Sequence, residues 1–365
     1  MIETRAAVLT EVNRPLELTD IHVDDPEPRE VRVAVTHVGL CHSDLHYMTG
    51  TVPTDVPVVL GHEVAGVVEA VGAAVTGLRP GDRVTGALTP SCGLCANCDA
   101  GRSTQCLRVE EVRSRPRPAF RFPDGRPIAR LGDIGAFSQH TLMRENALVK
   151  LPDDVPSHVG CLLSCCVVTG VGAVFRAARL RPGSTAAVIG CGGVGSAIIQ
   201  GARLAGASAI VAIDLDDERL EAARGYGATH VVNGDAGDPV AELHRLLGDG
   251  VDYAFEAVGS ARTAATALAL VRPTGTACLV GIAPGGTEIS MPASDFFFQE
   301  KRLIGSYMGS GQAREDIAQF ARLYQQGRLL LDEMVTRVIP FAEITKGFEA
   351  MTSGGVTRIV VDLQS

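Results

Sequence analysis

The stretch STAAVIGCGGVGSAIIQ, residues 184–200, passes from an apolar, strand-like run through closely spaced glycines into an apolar, helix-like run. Gly190, Gly192 and Gly195 stand in a G-x-G-x-x-G frame, and this frame narrows the possible folds further than any other part of the chain. The first glycine makes a tight turn, the second lets backbone approach a pyrophosphate, and the third lets helix and strand pack closely. Such a turn belongs in a parallel sheet, and the surrounding sequence has the required rhythm. HVGCLLSCCVVTGVGAVFRAARL carries helical periodicity. It is followed by strand STAAVIG, helix VGSAIIQGARLAG, strand AIVAIDL, helix ERLEAARGYG, strands HVVN and DYAFEAVG, helix TAATALALV and strand ACLVGI. A βαβαβ series implies right-handed crossovers with helices on the faces of the sheet. Asp214 ends the second strand, where a carboxylate accepts hydrogen bonds from adenosine ribose hydroxyls and repels a 2′-phosphate. NAD is therefore expected over NADP.

The first third has a different texture. AAVLTEV, LELTDIHV, VRVAVTHVGL, VVLGHEVAGVVEAVG and GDRVTGAL read as short strands with Pro, Asp and paired glycines between them, an antiparallel β pattern. Residues 107–136 hold seven arginines, four prolines and no long apolar run, which reads as one long surface loop. Its arginines form either a solvated face or the rim of a substrate entrance. Near the C-terminus come one clear helix, REDIAQFARLYQQGR, and a final strand, TRIVVDL. At 365 residues the chain is too long for one ordinary core and divides most naturally into two domains. A net charge of −9 offers no basic field, so neither nucleic acid nor an anionic membrane is an expected partner. The opening MIETRAAVLTEVNRP lacks the layout of a secretory leader, and no run is long and apolar enough to span a bilayer, so a cytoplasmic location is expected.

Thiols stay reduced in that compartment, so ten cysteines argue for metal or catalysis before disulfides. SCGLCANCDAGRSTQC places Cys92, Cys95, Cys98 and Cys106 within one short segment, suited to a closed metal site or to an iron–sulfur cluster. Elsewhere GLCHSDLH (39–46), VVLGHEVAG (58–66) and SCCVVTGVG (164–172) each offer soft or borderline ligands beside glycine. Cys41, His62 and one cysteine of the Cys165/Cys166 pair make a Cys2His set with a fourth position open, the arrangement of a catalytic zinc.

Taken together, G-L-C-H-S-D-L-H, G-H-E-x-A-G, the C-x2-C-x2-C-x7-C lobe, C-x3-T-G-x-G at Cys165, and G-C-G-G-V-G followed by Asp214 resemble the zinc-dependent alcohol dehydrogenases of the medium-chain dehydrogenase/reductase superfamily. The resemblance covers essentially the whole chain. It implies an α/β protein in which a GroES-like β-rich catalytic domain, residues 1–166 and 308–365 with a structural zinc lobe at 91–107, wraps around a Rossmann NAD-binding domain at 167–307. The active site would lie in the cleft between them. It implies two Zn2+ per subunit: a catalytic ion on Cys41, His62 and Cys165, and a structural one on Cys92, Cys95, Cys98 and Cys106. Cys161 and Cys166 are then packing residues.

The resemblance also assigns roles. Ser43 and His46 would relay the proton of the substrate alcohol to solvent, Asp44 would orient His62 through its other ring nitrogen, and Glu63 would approach the metal during ligand exchange. Cofactor contacts fall on Thr169, Gly190, Gly192, Gly193, Val194, Gly195, Asp214, Val280 and Ile282. His42 and Arg358 fall at the pyrophosphate, and Arg219 near the adenosine ribose. The implied reaction interconverts primary alcohols, aliphatic or benzylic, and aldehydes, with the metal as Lewis acid and hydride passing to nicotinamide. Leu88 replaces an aromatic ring common in relatives, which suggests a wider pocket. A thiol-dependent formaldehyde dehydrogenase, whose anionic thiol the 108–130 arginines would meet, is one alternative; a non-catalytic NAD-binding sensor and a zinc-free quinone reductase are others. A homodimer is expected, through sheet edge strands.

Overall fold

The computed structural model describes residues 1–365. Contacts divide the chain into two units: Met1–Cys165 with Gln312–Ser353 and Arg358–Ser365, and Cys166–Gly311 with Gly354–Thr357.

The first unit is β-rich, as its short alternating apolar runs dictate. Its strands are β1 (Ile2–Leu9), β2 (Glu17–Val23), β3 (Glu30–Gly39), β4 (Val58–Val59), β5 (Glu63–Val71), β6 (Arg83–Gly86), β7 (Phe120–Arg121), β8 (Pro127–Arg130), β9 (His140–Arg144) and β10 (Leu148–Lys150). β1, β2, β7, β8 and β4 close into a barrel. The largest fully buried side chains of this unit include Phe120, Phe137, Leu9 and Ile21.

The 107–136 segment corrects the sequence reading. It is not one surface loop, because β7 and β8 complete the barrel and Phe120, Ile128 and Ile134 are buried. Strands of two and four residues are too short to show a period, so isolated apolar residues among arginines and prolines hid them. Its arginines divide: Arg108, Arg117 and Arg126 are exposed, as on a solvated face, whereas Arg113, Arg115, Arg121 and Arg130 are partly covered. Arg115 is 7% exposed and sits 3.0 Å from Glu30 and 3.4 Å from Asp24. Arg113, Arg117 and Arg126 pair with Asp133, Asp24 and Asp124. Arg130 donates to the Leu142 carbonyl, and burial brings its pKa down to about 10.

The second unit is a doubly wound sheet of β11 (Thr185–Ile189), β12 (Ala209–Asp214), β13 (His230–Asn233), β14 (Val251–Glu256), β15 (Val271–Leu279) and β16 (Arg302–Gly305). All its pairings are parallel. The order β13-β12-β11-β14-β15-β16 is the 3-2-1-4-5-6 order of a Rossmann fold, which binds ligands where β11 and β14 part in opposite directions. The apolar stretch 158–180 is not one helix. It breaks into Ser157–Gly160, a 3-10 turn Cys161–Ser164, a helix Cys166–Gly172 and a π-helical end at Ala173–Ala178, with Cys165 at the break. A helix at Pro239–Leu247, capped by Asp238 with proline in its first turn, was passed over in the sequence.

The chain returns to the first unit, where β17 (Val335–Pro340) and β18 (Arg358–Asp362) finish a second sheet in the order β10-β6-β5-β3-β18-β17, with β9 also on β3. No single helix is long and apolar enough to cross a membrane.

Candidate active site and metal centres

Three neighbouring strands of the first unit deliver one site. β3 and β5 run antiparallel with Gly39 opposite Glu63, so the residues just past these ends, Cys41 and His62, are brought together. β18 lies on the other side of β3 and starts at Arg358. The 3-10 turn Cys161–Ser164 then presents Cys165. Ligand atoms of Cys41, His62, Glu63 and Cys165 all lie within 4.8 Å of one another, and all four residues are buried. Gly39 has to be glycine, because a Cβ there would stand 2.2 Å from Glu63 Oε2.

Charge and hydrogen bonding in this cluster favour a cation. Hydrogen bonding with Cys165 holds the Cys41 thiol well below its ordinary pKa, and the same contact raises Cys165, so the pair readily shares one negative charge. Burial opposes protonation of His62, but Asp44 and Cys41 outweigh it and raise the imidazole. Asp44 is fully buried; its Oδ1 lies 3.1 Å from His62 Nδ1 and accepts the Gly61 amide at 2.9 Å. That leaves His62 Nε2 as the atom that could ligate a metal, with its ring oriented by a carboxylate. Burial pushes Glu63 up to about 8 against the pull of Arg358, whose guanidinium lies 3.2 Å from Glu63 Oε1. Two thiols, one imidazole and a reserve carboxylate are a donor set that fits zinc with one open position.

Ser43 and His46 stand three residues apart on the helix His42–Met48, with Ser43 Oγ 3.5 Å from Cys41 Sγ. Three-residue spacing puts them on one face. His42 is the exposed first residue of that helix. Arg358 is found beside Glu63, 4% exposed and donating to the Leu40 carbonyl at 3.2 Å; the sequence pattern gave no sign of this pairing. Leu88 packs onto Gly132, where a Cβ would lie 2.2 Å from it.

Cys92, Cys95, Cys98 and Cys106 also gather within 4.8 Å, with Sγ–Sγ distances of 3.4 Å for Cys95–Cys98 and 4.0 Å for Cys92–Cys98. A tetrahedron of sulfurs about 2.3 Å from one zinc has edges of about 3.8 Å. All ten cysteines are free of disulfides. Four sulfurs closed around a single point also leave no room for the several irons of a cluster. Backbone amides of Cys92, Leu94, Leu107 and Arg108 point at sulfurs of the set, as thiolates require. Amides of Cys98 and Leu107 bring Cys95 down to about 6.

In the second unit the glycine frame is a turn that only glycine allows. Gly190 has φ +88°, and a Cβ on Gly195 would lie 1.7 Å from the Gly190 carbonyl. A Cβ on Gly192 would meet nothing within 4 Å, so open space faces the backbone at the start of the helix Gly193–Leu204. Gly193, Val194 and Gly195 supply the first turn of that helix, the place where phosphate is held by amides and the helix dipole. The frame therefore fits a dinucleotide. Asp214 accepts the amides of Cys191 at 2.6 Å, Leu215 at 2.8 Å and Asp216 at 3.1 Å, which fixes its carboxylate against the glycine turn. Arg219 Nε lies 3.7 Å from Asp216 Oδ2. Thr169 is buried in the helix Cys166–Gly172, with Oγ1 3.7 Å from Met308 Sδ. Val280 follows β15 with its amide on the Glu256 carbonyl at 2.8 Å, and Ile282 is exposed. The sequence reading missed Glu256, buried at the end of β14, where it accepts the Val258 and Gly259 amides and the Thr263 hydroxyl. It also missed Asp216, whose Oδ1 caps the helix Asp217–Tyr226 and whose Oδ2 accepts the Gly355 amide at 2.9 Å.

Residues 27–153 match the family described as alcohol dehydrogenase GroES-like domain, and residues 193–326 match the zinc-binding dehydrogenase family. A solved structure of an alcohol dehydrogenase zinc-binding domain protein from Burkholderia ambifaria is 32% identical over 99% of each chain, with a TM-score of 0.94. Benzyl alcohol dehydrogenase from Acinetobacter calcoaceticus is 31% identical over the whole of both chains, with a TM-score of 0.92. A putative zinc-binding dehydrogenase from Sinorhizobium meliloti, solved with NADP bound, is 27% identical over the whole of both chains, with a TM-score of 0.84.

Proposed function

From the premise that the chain belongs to the zinc-dependent alcohol dehydrogenases of the medium-chain dehydrogenase/reductase superfamily, we propose that it interconverts primary alcohols and aldehydes, aliphatic or benzylic, with NAD as cofactor and two zinc ions per subunit. The observation that carries this reading is the buried set Cys41, His62 and Cys165, with His62 oriented by Asp44 and Glu63 in reserve. When bound, zinc supplies a Lewis acid and nicotinamide a hydride acceptor.

The chain's own residues do the rest. Cys41, His62 and Cys165 hold the metal in a dry pocket where a polarising charge acts strongly. Ser43 Oγ takes the proton of the substrate hydroxyl as it gives its own hydroxyl proton onward, and His46, half-exposed on the same helix, takes up that proton and releases it to water. The Gly192–Gly195 turn takes the pyrophosphate, and Asp214 takes the adenosine ribose. A second negative charge beside that carboxylate is unfavourable, which favours NAD over NADP even though one similar structure was solved with NADP.

Benzylic substrates draw support from the similarity to benzyl alcohol dehydrogenase and from the absence of an aromatic ring at Leu88. The formaldehyde–thiol alternative leaned on arginines of 108–130, and four of those are paired with carboxylates of the chain itself. We also propose a homodimer in the cytoplasm. Support comes from β16, an edge strand of the sheet, preceded by a helix whose Phe297 and Phe298 are 78% and 81% exposed, and from ten free thiols suited to a reducing compartment. Zinc-replete protein should form NADH from a panel of aliphatic and benzylic alcohols, and less readily form NADPH. Turnover confined to formaldehyde with a small thiol would overturn the substrate assignment.

A further inference from the structure

Glu256 ends β14 and is only 1% exposed, yet three donors converge on one oxygen of its carboxylate. Oε1 accepts the amides of Val258 at 2.8 Å and Gly259 at 2.7 Å and the Thr263 hydroxyl at 2.8 Å. These bonds offset the cost of burying the carboxylate, and in doing so they tie down the turn that follows the strand. The backbone carbonyl of the same residue holds a second turn, just past β15, by accepting the amides of Val280 at 2.8 Å and Gly281 at 2.9 Å. The two turns meet backbone to backbone. A Cβ on Gly259 would stand 2.1 Å from the Ile282 carbonyl oxygen, and one on Gly281 2.2 Å from the Gly259 amide nitrogen. Gly259 also has φ +90°, where a side chain is strained.

Both turns lie at the switch point of the sheet. β14 leaves that point on the side away from β12, next to β11, which carries the glycine turn. The ends of β11 and β14 touch: Ala257 donates its amide to the Ile189 carbonyl at 2.9 Å, and a Cβ on Gly190 would stand 2.7 Å from Val258 Cγ2. A doubly wound sheet of this order is built from two mononucleotide-binding halves, one on each side of the switch point. Asp214, at the end of β12, belongs to the first half and Glu256 to the second. Val258 and Ile282, one from each turn, are left 50% and 47% exposed, apolar surface at the carboxyl ends of the strands of that second half.

We propose that Glu256 is a positioning residue: it fixes the turns after β14 and β15 so that the second half of the sheet takes the nicotinamide nucleotide of NAD. The proposal rests on the reading that the glycine turn holds the pyrophosphate and Asp214 the adenosine ribose. Glu256 itself is buried and acts through Val258, Gly259 and Gly281. All these residues belong to the Cys166–Gly311 unit.

Two mild substitutions in the full-length zinc-loaded protein separate reach from charge. Glu256→Asp keeps the charge but, one methylene shorter, withdraws its oxygens from the turn, whereas Glu256→Gln keeps the length and an accepting oxygen and loses the charge. Deuterium exchange of the peptide spanning residues 257–260 should quicken by roughly a hundredfold in Glu256→Asp and by no more than about tenfold in Glu256→Gln. By titration calorimetry NADH should bind roughly tenfold more weakly to Glu256→Asp, because the competent form of the turns is then a minor one, and within about threefold of wild type to Glu256→Gln. AMP, which needs only the first half, should lose no more than about twofold in either, and KM for NAD should rise in Glu256→Asp. Unchanged exchange in Glu256→Asp would overturn the proposal, since the carboxylate would then hold nothing. Quickened exchange with unaltered NADH affinity would overturn it by removing the turns from binding. Equal losses for NADH and AMP would overturn it by placing the effect in the adenosine half, and a loss in Glu256→Gln as large as in Glu256→Asp would do so by showing that charge, not reach, matters; the glutamine variant decides this even if the aspartate one does not fold. A wild type that binds no NADH would bring down the functional reading and this proposal together, whereas the other outcomes, seen with a wild type that binds NADH, bring down the proposal alone.

Discussion

Replacing Arg115 by methionine tests whether the arginine-rich segment 107–136 is part of the fold or the edge of a substrate entrance. Arg115 is 7% exposed, and its partners Glu30 and Asp24 are 3% and 10% exposed. Its Nε lies 3.1 and 3.0 Å from the two oxygens of Glu30, and its terminal nitrogens donate to the carbonyls of Arg117 at 2.8 Å and Asp25 at 2.9 Å. Methionine keeps the apolar stem and removes the cation, which leaves two carboxylates facing each other across a nearly dry gap. Breaking a buried pair from one side costs about 3–5 kcal/mol. Arg144, 4.0 Å from Glu30, offsets part of that, so the lower end of about 3 kcal/mol applies. Urea unfolding followed by far-ultraviolet circular dichroism suits a chain without tryptophan, and the midpoint should fall by about 1 M. Arg115→Lys keeps the charge but not the fork and should fall between wild type and methionine. At a temperature where all three proteins are folded, KM for alcohol should be the same in each. A change under about 0.5 kcal/mol, typical of a surface site, together with a raised KM, would refute the structural role and return these arginines to the substrate entrance.

Other perturbations test other parts of the account. Asp44→Ala removes the buried partner of both His62 and the Gly61 amide, so metal at Cys41–His62–Cys165 should be lost to a chelator at roughly 10- to 100-fold lower concentration while the four-cysteine lobe keeps its own; equal retention of both ions would count against it. Gly195→Ala places a methyl 1.7 Å from the Gly190 carbonyl and should abolish measurable NADH binding, whereas near-normal affinity would show that the turn is not the phosphate site. Ser43→Ala should lower kcat by about 10²-fold or more with little change in zinc content, and an unaltered kcat would remove Ser43 from the proton route. Asp214→Ser should narrow the preference for NAD over NADP, read from the ratio of kcat/KM values, and an unchanged ratio would locate cofactor choice elsewhere.

Much of this was legible in the sequence because the features that matter are local. The glycine turn and the four-cysteine lobe are written in consecutive residues, and the strand and helix periods around Asp214 are long enough to read. The candidate ligand set is scattered over more than a hundred residues, so no local pattern ties Cys41 to Cys165; the register that puts Gly39 opposite Glu63 brings Cys41 to His62, and the turn Cys161–Ser164 adds Cys165. Where the sequence failed, the cause was length or distance. β7 and β8 are too short to have a period, and their partners come from the first 60 residues of the chain. The apolar run 158–180 kept a helical pattern through Cys165, although the backbone there departs from helix to turn the thiol toward the cluster. The Arg358–Glu63 pair and the Asp216–Gly355 bond join residues about 295 and 139 apart, a relation that residue type and spacing do not encode.

The central claim is that hydride passes from an alcohol to NAD at a metal held by Cys41, His62 and Cys165. Its most direct test is to give the zinc-loaded protein benzyl alcohol deuterated at the carbinol carbon, together with NAD, and to look for the label on the reduced nicotinamide by mass spectrometry, in wild type and in Cys165→Ser. The account predicts deuterated NADH from the wild type and none from the variant, with the variant still binding NADH. Label transfer that persists in the variant, or a wild type that binds NADH and zinc yet transfers no label from any alcohol, would contradict it.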